Sequence, residues 1–285
     1  MKRKEKIREQ IHGLNPIDDA LFAVMARDKP FCEEILRVFL EEPNLVVSTN
    51  SPQKLFKNLE GRSIQVDLVC DLTSGETVNV EVEKNRLNHV KRVRYNSAIL
   101  TTNLTDPGKE FEDIQNIIIL YITKFDIFGL KKTKYYVDDV IRGFNGVVDT
   151  GCLRIFINAK IDDGSDIAKL MKIFVKDNAY DYDLFPVTSR LKYHYKETEE
   201  GVNTMYDIIE KLFGEELEQA RNEGIKEGEK TGEKRGEKRG EKTGIEKCRS
   251  IMRAAFNNKD QVSEEYLSAE FDKILSELEL NSSSN

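Results

Sequence analysis

Two short alternating runs, Ser63 to Asp71 and Thr77 to Glu83, constrain the fold more than any other part of the sequence. Alternation has the period of a β-strand, so Ile64, Val66, Leu68 and Cys70 share one face of the first run. Val78, Val80 and Val82 share the matching face of the second. Gln65, Asp67, Asn79, Glu81 and Glu83 fall on the opposite face. Thr73-Ser74-Gly75 suits a three-residue hairpin loop with a left-handed final residue, where glycine is least strained. With Ser74 at the centre, Leu68 faces Val80, Asp67 faces Glu81 and Gln65 faces Glu83. Directly opposed residues have Cβ atoms about 4.5–5.5 Å apart, and like charges so placed repel. Two readings follow: a solvated acidic sheet face, or a site whose repulsion a hard divalent cation relieves by taking carboxylate oxygens. A loop one residue longer would shift the register and separate the pair.

Elsewhere the pattern is that of an α/β chain. Asn15-Pro16-Ile17-Asp18-Asp19 reads as a helix start, with Asn15 as N-cap and Pro16 at the first helical position. Lys29-Pro30 should end that helix, and a second runs from Phe31 to Leu40. Residues 86–104 read as a helix, Ile114 to Thr123 as a buried strand expected to join the hairpin sheet, and Leu153 to Asn158 as another strand. Helical patterning returns at Asp166 to Val175 and from Thr198 onward. From Gly224 a glycine recurs every four residues to Gly244 in a charged stretch, the pattern of a marginal helix or a solvated linker. Ser263 to Leu280 has the spacing of a short terminal helix.

The four cysteines are scattered without a CxxC pair, which indicates neither a zinc site nor a disulfide framework. No apolar run approaches a membrane span, so no membrane partner and a cytoplasmic location are expected. The net charge of −7 argues against non-specific coating of nucleic acid. A local basic stretch, Lys84, Arg86, Lys91, Arg92 and Arg94, nevertheless follows the acidic hairpin directly.

Val66-Asp67-Leu68-Val69, Asn79-Val80-Glu81-Val82-Glu83 and Lys91-Arg92-Val93-Arg94-Tyr95-Asn96-Ser97 occur in that order at close spacing. Together they resemble the PD-(D/E)XK nuclease-family transposases, the recombination-promoting nucleases. The resemblance runs from about Asp18 to Gly214, through the strand exit Leu120 to Asp126 and Tyr195 to Gly201, and extends to the glycine-repeat tail. It implies a restriction-endonuclease-like core, a mixed sheet flanked by helices, over residues 1–129. Residues 130–220 would extend that core, 221–249 would form the repeat, and 250–285 a short helical segment.

The resemblance further implies a Mg²⁺- or Mn²⁺-dependent endonuclease acting on DNA in recombination or mobile elements. Asp67 and Glu81 would hold the metal, accompanied by Asp19 of the first helix. Glu83 completes the catalytic set at a position where the family usually carries glutamine and the wider superfamily lysine. Lys84, one residue on, should point to the core face by strand alternation. Arg92, with Lys91 beside it, would bind a DNA phosphate; Tyr95 reads as a core aromatic and His89 as a surface histidine. The competing class is a catalytically degenerate nuclease fold that binds nucleic acid or protein. A third is an assembly protein that forms homo-oligomers through its tail. No Ser/His/Asp or Cys/His set and no phosphate-binding glycine loop is present.

Overall fold

The computed structural model describes residues 8–58, 61–85, 89–144 and 146–209. Leu14–Val202 forms one compact unit. The glycine repeat and the expected terminal helix at Ser263 to Leu280 lie outside the described residues, as do Arg86 and Cys248. Helices α1 (Asp19–Met25) and α2 (Lys29–Leu40) lead into strands β1 (Val47–Phe56), β2 (Ile64–Leu72) and β3 (Thr77–Glu83). Helix α3 (His89–Leu104) and strand β4 (Ile117–Thr123) follow. Then come β5 (Lys134–Val137), the small pair β6 (Asp139–Ile141) and β7 (Gly146–Val148), β8 (Cys152–Asn158), α4 (Asp166–Val175) and α5 (Pro186–Glu197).

The main sheet has the order β1-β2-β3-β4-β8-β5. Strands β1, β2 and β3 are antiparallel neighbours, β3, β4 and β8 run parallel, and β5 returns antiparallel to β8. The expected mixed α/β sheet is therefore present, and β4 joins it beside β3. The segment read as an extension beyond residue 130 supplies two strands to the same sheet. Strands β3 and β4 are nearly continuous buried runs, as parallel central strands must be when both faces are covered.

On one face Val93, Ile99 and Leu100 of α3 pack with Ile117, Ile119, Tyr121 and Phe156. Opposite, Phe22, Phe31, Phe39 and Phe174 from α1, α2 and α4 form an aromatic cluster with ring centroids 6.1–6.5 Å apart. Its geometry is the edge and offset packing that aromatic quadrupoles favour.

Two expectations are corrected at helix ends. Asn15 does not cap α1: residues 16–18 form a turn, and the helix begins after Asp18. The Asp18 carboxylate turns away from the helix and accepts from the Asn15 N–H at 2.6 Å, and it also pairs with Lys84. Lys29-Pro30 does not end α1, which stops at Met25, but opens α2 ahead of Phe31, with Asp28 as its cap accepting from the Phe31 N–H at 2.8 Å.

Strand β1 and helix α5 were not foreseen. Strand β1 contains Pro52, and Gln53 takes the left-handed region at φ 52°; both are tolerable because β1 is a sheet edge with one side free of ladder bonds. Helix α5 hides its apolar stripe because Lys192 and Lys196 occupy its buried face.

Candidate active site

The hairpin of β2 and β3 closes as its turn chemistry dictates. The Leu72 N–H donates to Glu76 O and the Gly75 N–H to Leu72 O, with Gly75 at φ 107°. Leu68 pairs with Val80, Val69 with Asn79 and Cys70 with Val78, the register expected with Ser74 at the centre. That ladder ends at Leu68 and Val80, one step before Asp67 and Glu81. There the Asp67 carboxylate accepts the Val82 N–H at 2.8 Å, so a side chain takes the donor that a continuing ladder would have used.

Glu81 is 1% exposed. Its Oε1 accepts from Asn79 Nδ2 at 3.2 Å and Asn96 Nδ2 at 3.3 Å, and its Oε2 accepts from Arg92 Nη2 at 3.0 Å. Arg92 Nη1 reaches Glu83 Oε2 at 3.1 Å. The guanidinium thus bridges two carboxylates, with 47% of its side chain open to solvent. Glu83 Oε1 also accepts the Asn85 N–H at 2.8 Å. Lys84 is committed to Asp18.

Electrostatics follow from this crowding. Burial, the neighbouring Glu81 and Asp19 raise the Asp67 carboxyl well above the usual range, against the opposing Val82 N–H and Arg92. Burial pushes Glu81 up to about 7, with Arg92, Asn79 and Asn96 holding it down. Asp19 is raised by loss of water around its carboxyl, opposed by Lys84 and reinforced by Glu83 and Asp18. Four acids therefore share one field: Asp67, Glu81, Glu83 and, from α1, Asp19.

In donor chemistry this set is that of a hard cation, all carboxylate oxygen, three from β2 and β3 and one from α1. Among the described residues, however, no three His, Cys, Asp or Glu side chains stand together as a metal-holding group. Arg92 stands between Glu81 and Glu83 and supplies the positive charge in their place.

No protein-family model, curated protein or solved structure matches this chain.

Of the residues singled out in the sequence, Asp67, Glu81, Glu83, Asp19 and Arg92 are brought together, while Lys91 projects into solvent on α3. Tyr95 is half-buried against the α3-side core, its hydroxyl donating to Arg62 O at 2.6 Å. His89 is not a surface histidine. It is buried, with Nδ1 2.8 Å from the Tyr121 hydroxyl and its ring 5.0 Å from that of Phe125. Burial lowers its pKa.

Two residues that hold Glu81, Asn79 and Asn96, and one beside it, Tyr121, had no role assigned from sequence. Asn96 lies one turn beyond Arg92 on α3, and that i,i+4 spacing places both over the same strand. Tyr121 is the lateral partner of Glu81 across the parallel pair of β3 and β4; finding it requires the sheet order.

Proposed function

We propose that this chain is a metal-dependent endonuclease of the PD-(D/E)XK type that hydrolyses phosphodiester bonds in DNA, linked to recombination or mobile elements. The observation that carries this reading is the convergence of Asp67 and Glu81 at the point where the β2–β3 ladder ends, with Asp19 and Glu83 in the same field. A mixed sheet flanked by helices and the resemblance of the Asp67, Glu81 and Arg92 segments support it further.

Asp67 and Glu81 would hold Mg²⁺ or Mn²⁺, with Asp19 beside them. Such a cation, when bound, polarises a phosphoryl oxygen and acidifies a bound water. The chain's own groups do the rest. Glu83, less buried than Glu81, would orient the attacking water and accept its proton. Asn79 and Asn96 fix the Glu81 carboxylate by neutral donors, and the Val82 N–H fixes Asp67, so the acids keep their positions. Lys91 and Arg92 on α3 would face the phosphate backbone.

The test is cleavage of supercoiled plasmid by the full chain in Mg²⁺, Mn²⁺ or EDTA, beside Asp67→Ala and Glu81→Ala. Nicking that needs metal and is lost in both variants supports the reading; a folded wild type that never cuts counts against it. One observation favours a second reading, a degenerate nuclease fold that binds without cutting: the guanidinium of Arg92 already neutralises Glu81 and Glu83. DNA binding that ignores EDTA and survives both substitutions would support that alternative.

A further inference from the structure

Arg92 occupies an unusual position for a phosphate-binding arginine. Its two terminal nitrogens are spent on two different carboxylates, at 3.0 and 3.1 Å, rather than fanned toward solvent. The acids do not need it to stay in place. Glu81 Oε1 is held by two amides and Asp67 by a backbone N–H, whereas Glu81 Oε2 and Glu83 Oε2 are held by Arg92. The neighbouring cation Lys84 is committed to Asp18. Beside Glu81, the fully buried Asn79 turns its Nδ2 to the carboxylate and leaves Oδ1 without a partner among the described residues, one more acceptor in a region already rich in negative charge.

We infer that Arg92 is the resident counter-ion of the acid cluster, and that a divalent cation and the guanidinium compete for Glu81 Oε2, so that metal entry releases Arg92 to bind a nucleic-acid phosphate. This rests on the metal-dependent reading of the same site. A cation that takes Glu81 Oε2 puts a second positive charge at the oxygen to which Arg92 donates, so each weakens the other's hold on it. The half-exposed side chain of Arg92 leaves toward solvent without opening the core, since its neighbours Val93 and Asn96 carry the α3 packing. Once free, a guanidinium on the rim of the site has the geometry for paired hydrogen bonds to a phosphate. Metal and nucleic acid then bind with positive coupling, each favouring the state in which Arg92 has left the acids.

The experiment is Mn²⁺ binding to the full-length chain by titration calorimetry, without DNA, for wild type, Arg92→Gln and Asp67→Ala. The expected result is Mn²⁺ bound about tenfold more tightly by Arg92→Gln than by wild type, and not by Asp67→Ala. Equal or weaker binding by Arg92→Gln, with wild type still binding, overturns the competition and leaves the metal reading standing. Absence of binding by both proteins overturns the metal reading and the competition with it. A second measurement needs no variant that folds differently: the Arg92 Nε–H resonance of wild type, followed by NMR during Mg²⁺ addition. It should shift with the same midpoint as the Glu81 amide; an Arg92 signal that stays fixed while Glu81 responds overturns the proposal.

Discussion

The molecule buries charge in two places, and it does so in opposite ways. At the end of β3, like charges converge and their main relief is one arginine that remains half open to water. Under α5, Lys192 and Lys196 are wholly enclosed, and their ammonium groups donate to backbone carbonyls and an amide oxygen. Lys192 donates to the carbonyls of Ile173 at 2.8 Å, Lys176 and Ala179 at 3.3 Å, the end of α4 that has no helical partners. Lys196 donates to Asp177 O at 3.2 Å and Asn15 Oδ1 at 3.5 Å. Saturation by backbone dipoles marks a charge that holds structure together. Unresolved repulsion with a removable counter-ion marks one kept for something else.

The sharpest way to break this contrast is to neutralise each cluster in turn. Glu81→Gln is expected to reduce the proposed metal-dependent cleavage at least about a hundredfold while the protein stays folded, because the isostere keeps the contacts with Asn79 and Asn96. Lys192→Met should do the reverse, costing about 3 kcal/mol in urea unfolding as three carbonyls lose a charged donor. Severe unfolding in the first variant, or an unchanged midpoint in the second, would dissolve the distinction.

The two clusters should also respond to pH with opposite sign. Glu81 is pushed from 4.5 up to about 7 in the folded chain, so it contributes stability fully present below pH 4.5 and lost as pH rises through 7, up to ~3 kcal/mol. Lys192, pushed down from 10.5 to about 7 by burial with Lys196 adding repulsion, contributes stability present above pH 10.5 and lost as pH falls through 7. Denaturant midpoints taken across both windows should lose their acid-side slope in Glu81→Gln and their alkaline-side slope in Lys192→Met. A wild-type curve flat in both windows would remove the electrostatic basis of the comparison.

The smallest expected effect sets the scale for an ordinary neutral bond. The Ser165 hydroxyl caps α4 by accepting the Ala168 N–H at 3.2 Å, so Ser165→Ala should cost about 1 kcal/mol with no effect of pH. A loss as large as that of Lys192→Met would show that the lysine cluster is not exceptional.

Legibility in the sequence followed the range of the determining contacts. The β2–β3 register could be read from one loop, because three turn residues and two alternating runs leave a single pairing that buries the valines. Helices α2 and α4 were readable from spacing. Strand β1 was not, since Ser48 to Lys54 is polar and carries a proline, and only its pairing with β2 makes it a strand. Helix α5 was not, since its buried positions are lysines whose partners come from another helix. Asp67, Glu81 and Glu83 stand out in sequence because they lie on one hairpin, and they share a field with Asp19 in the structure, but the state of Arg92 depends on where α3 lies over β3. His89 was misjudged for the same reason: its hydroxyl partner, Tyr121, comes from a strand beyond α3.

Edge strand β1 carries a further implication, for self-association. A flat, regular outer strand offers its free N–H and C=O groups to another sheet and invites copies to stack edge to edge. Here Pro52 lacks the donor, Gln53 turns the backbone into the left-handed region, and Lys54 adds a charge, all midway along the strand. The far edge is only the four residues of β5. The sheet is thereby protected against growth by strand addition at β1, and assembly of this chain into larger particles has to be built from other surfaces.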